Sequence, residues 1–245
     1  MANAKKVALI TGANKGLGYE MAKQLGQAGV TVVLAARDKA KGEKAAETLK
    51  AEGLDVRFLK LDVTNKKDYA EAAAYLEKNF GKLDILINNA GISADGLAGT
   101  SASATTEQSL KDTFETNFFS VVALTQALLP LLRKAPAGRI VNLSSVLGSL
   151  TRHSDPSSAI YGKKAFAYDA SKTALNAFTV HLAHDLRGTK IKVNSAHPGW
   201  VQTEMGGTAA PLDVADGGKT SVQLATLPDD GPTGGYFHLG EALPW

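Results

Sequence analysis

The chain has 245 residues, 44% apolar and 21% charged, as expected of a soluble globular protein. Its net charge of +3 is small and its basic residues are scattered, so nothing points to nucleic acid. There is no cysteine, which excludes disulfides and thiolate metal sites, and the five histidines are too dispersed to suggest a metal centre. No apolar run reaches the length of a membrane span, and the first residues lack a leader-like apolar core; the expectation is a soluble, cytoplasmic protein.

In chain order, Val7-Ala8-Leu9-Ile10 reads as a buried strand ending at Thr11-Gly12. Gly16 and Gly18 follow, and then a helix over 17–28 that stops at Gly29. A second strand over 30–36, a polar helix over 39–52, a third strand over 55–61 and a helix over 66–80 continue the alternation. A fourth strand over 83–87 ends in Asn88-Asn89-Ala90-Gly91, and 92–106 reads as a loop. Two long helices are expected over 110–133 and 166–187, the first presenting Phe114, Phe118, Val121, Leu124, Leu128 and Leu132 on one side. Strands over 140–143, 191–195 and 236–239 and a helix over 213–227 complete the pattern. Strands alternating with helices predict a doubly wound α/β fold of Rossmann type, with a mostly parallel seven-stranded sheet and helices on both faces. No linker interrupts it, so one domain is expected over 1–245, with a loop insertion at 149–167.

A strand, a glycine turn and a helix N-terminus make a site for pyrophosphate, because unpaired N–H groups and the positive end of the helix dipole face the turn. Tyr168 and Lys172 stand four apart and share one helical face. A lysine cation about 4 Å from a phenol, at an effective dielectric near 20, favours phenolate by roughly 4 kcal/mol. Such a pair brings a tyrosine into range for acid–base work.

The spacing Thr11-Gly12-x-x-x-Gly16-x-Gly18, the Asn88–Gly91 motif, the Tyr168/Lys172 pair and Pro198-Gly199 resemble the short-chain dehydrogenase/reductase family. Asn14-Lys15-Gly16, Thr116-Asn117-Phe118-Phe119, Pro198-Gly199-Trp200 and Met205-Gly206-Gly207 are most similar to its NADPH-dependent carbonyl reductase branch. The resemblance implies a dinucleotide cofactor, NADPH/NADP, bound by Gly12, Asn14, Lys15, Gly16, Leu17 and Gly18 at the turn. Asp62 and Val63 would meet the adenine; Asn89, Ala90 and Gly91 would lie along the cofactor. Pro198, Gly199, Val201 and Thr203 would border the nicotinamide carboxamide, with Tyr168 and Lys172 also touching the cofactor. Ala36 stands where NAD-using members carry aspartate, and Arg37 with Lys15 offers two cations to a 2′-phosphate. Asp38 is the competing residue, able to meet a free 2′-hydroxyl if Arg37 turns away.

By the same resemblance Tyr168 is the proton donor, Ser145 holds the carbonyl oxygen (Ser144 being the alternative), Lys172 lowers the tyrosine pKa, and Asn117 bends its helix and holds a relay water. The reaction implied is hydride transfer to a ketone or aldehyde; the rivals are an alcohol dehydrogenase running in reverse and a non-catalytic NADP(H) sensor. Ile92, Val146, Leu147, Trp200 and Met205 suggest a pocket for an apolar carbonyl compound. The gap from Ser145 to Tyr168 is long, and Tyr161 within it has no lysine four residues on. Its polar residues, including Arg152, His153, Asp155, Lys163 and Lys164, suit neither a strand nor a helix–helix interface. The insertion is therefore expected to wall the substrate pocket, to lie toward the face used for helix-bundle dimerisation, and to favour a monomer over a homodimer or homotetramer.

Overall fold

The computed structural model describes residues 5–96 and 98–245; positions 1–4 and 97, which the single-domain span includes, lie outside the described residues. Eight strands form one sheet: β1 Val7–Thr11, β2 Thr31–Ala36, β3 Val56–Lys60, β4 Ile85–Asn88, β5 Arg139–Leu143, β6 Lys192–Ala196, β7 Tyr236–His238 and β8 Glu241–Ala242. Their order is β3-β2-β1-β4-β5-β6-β7-β8, parallel throughout except for β8, which pairs antiparallel with β7. The expected seven strands are present, and β8 is an addition: the chain turns back after β7 at Leu239-Gly240 and pairs over two residues.

Successive strand residues face opposite sides, so the sheet has two cores. Leu9, Val33, Leu86 and Ile140 face helices α3 (Lys66–Phe80), α5 (Ser120–Leu132) and α7 (Phe166–Asp185). Ala8, Ile10, Val32, Ile87 and Val141 face α1 (Gly16–Gln27), α2 (Lys39–Ala51) and α8 (Val214–Ala225). Asp38, Asn65 and Asp213 cap α2, α3 and α8 by accepting backbone N–H bonds, and Gly81 ends α3 at a φ of 69°.

The helix expected over 110–133 is broken. Helix α4 (Glu107–Phe114) runs into a π turn, Glu115–Phe119, before α5 begins, and Ser120 N donates to Glu115 O in place of the usual partner one residue later. The π turn takes up an extra residue and rotates the helix face. Val121, Leu124, Leu128 and Leu132 remain buried, but Phe114 and Phe118 turn partly outward and cluster with exposed Phe119. The segment Glu107–Leu132 is long and apolar enough to cross a membrane by length and composition, yet here its apolar side packs on the sheet and α3.

The strand order reverses between β1 and β4, which opens a crevice at their C-terminal ends. The glycine turn after β1 and the Asn88–Gly91 segment after β4 meet there.

Candidate active site

Asn89 holds the glycine turn in shape. Its Nδ2 donates to Thr11 O (2.7 Å) and Gly12 O (3.1 Å), while Thr11 Oγ1 accepts from the N–H groups of Asn89 and Ala90, both at 3.0 Å. A Cβ at Gly18 would stand 2.5 Å from Asn89 Nδ2 and 2.6 Å from Gly12 O, so only glycine allows this approach. Gly12 and Gly16 have φ of 62° and 56°. Among the described residues no side chain caps α1, in contrast to α2, α3 and α8. The donors of its first turn are therefore free for an anion, and the residues present fit a dinucleotide phosphate.

Asn14 precedes Lys15, which occupies the N-cap position of α1. Leu17 and Val201 converge on Gly217 of α8: a Cβ there would stand 2.7 Å from Leu17 Cδ2 and 2.6 Å from Val201 Cγ2. Arg37 is exposed at the end of β2 and makes no hydrogen bond or ion pair with the described residues. Asp38, by contrast, is committed to its cap: it accepts from Lys41 N at 3.0 Å and pairs with Lys41 Nζ at 3.5 Å. That engagement holds both Asp38 oxygens at the first turn of α2. Asp62 folds its carboxylate back onto Thr64, through N at 3.0 Å and Oγ1 at 2.8 Å, and Val63 O accepts from Tyr69 OH at 2.5 Å. Gly199, at φ 90°, follows Pro198, and a Cβ on it would stand 2.3 Å from Leu212 Cδ1.

The four expected chemical residues gather at the C-terminal ends of β4 and β5. Asn117, in the π turn, is fully buried and makes three bonds: Oδ1 accepts from Ile92 N (2.8 Å), and Nδ2 donates to Ile92 O (2.8 Å) and Ser171 Oγ (3.0 Å). Ser171 Oγ donates on to Tyr168 O at 2.7 Å. Lys172 Nζ donates to Leu143 O at 2.8 Å. A Cβ on Gly91 would meet Asn117 Oδ1 at 3.3 Å and Lys172 Nζ at 3.5 Å, so these two groups face the same small space beside Gly91.

Ser145 Oγ accepts from Leu147 N at 3.2 Å, and its hydroxyl lies close enough to the Tyr168 phenol to act on its acidity. Ser144, the alternative, is buried with its Oγ unpartnered among the described residues. Burial pushes the Tyr168 phenol up to about 12; the Ser145 hydroxyl opposes the shift and the Asp169 carboxylate adds to it. Burial also pushes Lys172 down to about 8. The expectation that the lysine cation lowers the tyrosine pKa is thus not met in this geometry. Lys172 Nζ lies 5.5 Å from the phenol ring centroid and spends its bond on Leu143 O, while burial penalises the charged form of both groups.

The segment after Ser145 forms a short 3-10 turn, Val146–Gly148, and helix α6 (Leu150–Ser154), where a plain loop was expected. Val146 and Leu147 are half-buried. Val146 N donates to His197 Nδ1 at 3.2 Å, and His197 is pushed down to about 3 by burial, with His238 and Arg152 adding to the effect. A Cβ on Gly148 would stand 2.8 Å from the backbone carbon of Lys172, so the turn lies directly on the catalytic helix. Trp200 and Met205 are exposed on the loop after β6, with Trp200 Nε1 donating to Gly206 O at 2.8 Å.

The insertion is fastened at both ends. His153 Nε2 lies 2.9 Å from Leu147 O and 3.4 Å from Asp169 Oδ2, and Lys164 Nζ bonds His153 Nδ1 at 3.0 Å. Ser149 Oγ donates to Pro244 O (2.8 Å), Thr151 N donates to Trp245 O (2.9 Å), and Trp245 stacks on Tyr236 at 5.5 Å. Leu150 and Trp245 flank the outer face of α7, leaving a groove of about 280 Å³ beside Ala177, Val180 and His181.

Sequence reasoning missed Ser171, His197, Asp169 and His153. Ser171 was the most legible, lying between Tyr168 and Lys172; the others act through partners distant in sequence.

The sequence model of the short chain dehydrogenase family matches residues 6–211. The chain is 33% identical to mouse (Mus musculus) carbonyl reductase (NADPH) 1, covering 100% of both proteins. It is 32% identical to (-)-isopiperitenone reductase of Mentha piperita, covering 99% of each. Among solved structures, the NADPH-bound carbonyl reductase from chicken fatty liver superposes with a TM-score of 0.85 at 28% identity, over 98% of this chain and 99% of that one. The family match over most of the chain and the full-length similarity to these enzymes show that the chain belongs to the short-chain dehydrogenase family.

Proposed function

We propose that this protein is an NADPH-dependent reductase of ketones or aldehydes. The observation that carries the reading is the convergence of Ser145, Tyr168, Lys172 and Asn117 beside the glycine-lined crevice. NADPH, when bound, supplies the hydride. The chain's own residues handle the oxygen. Tyr168, held protonated by burial, donates its phenolic proton to the carbonyl oxygen as negative charge develops there. Ser145 orients the same oxygen by a hydrogen bond, a pre-set donor aimed at the developing alkoxide. Lys172 supplies a positive charge beside the phenol, and Asn117 fixes the Ile92 backbone at the mouth of the pocket. Lys15 and Arg37 are the cations offered to a 2′-phosphate, and the cap role of Asp38 supports NADPH over NADH. Ile92, Val146, Leu147, Trp200 and Met205 supply the walls for an apolar substrate. The same residues serve alcohol oxidation in reverse. In this reading the enzyme works as a monomer.

The test is NADPH consumption, followed by its absorbance, over a panel of aromatic and aliphatic aldehydes and ketones. The expected result is turnover of several apolar members with NADPH preferred over NADH at least about tenfold, the scale of one or two charge-assisted bonds. Tyr168→Phe should bind NADPH as the parent does and lose about 100-fold or more in kcat, the scale of one general acid. No turnover of any member, or near-parent turnover by the Tyr168 variant, would overturn the reading.

A further inference from the structure

One ion pair spans the mouth of the cofactor crevice. Lys15, immediately before α1, pairs through Nζ with Glu204, 189 positions away on the loop after β6. Both side chains are largely exposed, so the fold does not depend on the pair. The position of Glu204 is set by its own loop. Gly206 N donates to Thr203 Oγ1 at 3.0 Å, Gly207 N donates to Thr203 O at 2.8 Å, and the Trp200 indole bonds Gly206 O. Thr203 lies against the glycine turn: a Cβ built on Gly16 would stand 3.7 Å from its Cγ2. The loop thus presses one carboxylate onto the cation expected to hold a cofactor phosphate. Lys41, three residues after the Asp38 cap, also contributes to the positive field around that carboxylate.

We infer that Glu204 is an internal substitute for the cofactor's 2′-phosphate, neutralising Lys15 in the cofactor-free chain and giving way when a 2′-phosphorylated dinucleotide binds. The inference rests on the reading of this chain as an NADP(H)-dependent enzyme. A phosphate carries more charge and more acceptor oxygens than a carboxylate, so the exchange runs toward the cofactor. A dinucleotide with a free 2′-hydroxyl brings the same pyrophosphate but no charge at the 2′ position, so it competes for Lys15 less and leaves the pair in place. Phosphate recognition is thereby coupled to the loop that carries Trp200 and Met205, making Glu204 a determinant of cofactor discrimination.

The test is direct binding by isothermal titration calorimetry, with NADP, NAD and 2′,5′-ADP as probes. It compares the parent, Glu204→Gln, Lys15→Ala and the double variant. Removing the competitor should tighten NADP and 2′,5′-ADP about two- to fivefold, the scale of one exposed ion pair, and leave NAD within about twofold. In the Lys15→Ala background the Glu204 substitution should change nothing. Unchanged or weaker NADP binding by Glu204→Gln, or an equal gain without Lys15, would overturn the inference while leaving the proposed function intact. A parent protein that binds neither NADP nor NAD would overturn the proposed function itself.

Discussion

At Tyr168 and Lys172, burial acts on two groups of opposite charge type and makes both more neutral. The phenol rises to about 12 and the ammonium falls to about 8. The four-residue spacing made the pair legible in the sequence. What it could not carry was the lysine's allegiance to Leu143 O, because β5 reaches that place only through the fold. The order of the two pKa values fixes a pH dependence. Lys172 carries its charge below about 8 and loses it above, whereas Tyr168 stays protonated across that whole range. The value of kcat/KM for NADPH, which reports the free enzyme, should therefore be level near neutrality and fall through pH 8. Lys172→Met should lower the rate and abolish the break. An unbroken profile between pH 7 and about 9.5 would separate Lys172 ionisation from catalysis.

At the scale of elements, β1, β2, β4 and β5 were the most legible strands, because each is buried along its whole length, whereas β3 and β7 at the flanks are only partly buried. The π turn was legible only through the expectation that Asn117 bends its helix. Its cause is not periodicity but a partner 25 residues away, the Ile92 backbone, which takes up both ends of the Asn117 amide. Helix α6 was hidden for a related reason: five residues are too few for a periodic signal, and Trp245 O receives one of its N–H groups. Asn117→Ala would leave Ile92 N and O without their buried partners, a cost of about 1–3 kcal/mol. The expected outcome is a lower urea midpoint at unchanged m-value, with reductase activity reduced further than the residual folded fraction accounts for.

Across the whole molecule, the insertion and the C-terminal residues share one task. Leu150 of the insertion and Trp245 line a groove on the outer face of α7. The polarity of the 149–167 segment is the basis for the proposal that it lies toward this face; the contribution of Pro244 and Trp245 was illegible because it joins segments far apart in the chain. Leu150, Val180 and Trp245 stay exposed on this face, and a helix-bundle dimer would have to bury them together with the polar insertion beside them, the cost on which the proposed monomer rests. Light scattering at micromolar concentration should give a mass near the chain's own 25.6 kDa, and a dimer or tetramer would refute the monomer.

The contact of Gly148 with the Lys172 backbone also bears on how this enzyme can be diversified. The insertion leaves the catalytic helix at a position that has no room for a methyl group: a Cβ there meets Lys172 main chain, which cannot rotate away as a side chain could. Directed evolution toward new carbonyl compounds therefore has an asymmetric landscape. Libraries randomised over 154–163 spare His153, which reaches Asp169 beside the proton donor, whereas any replacement at Gly148 displaces the turn and the catalytic helix together, so losses of rate should concentrate at that glycine.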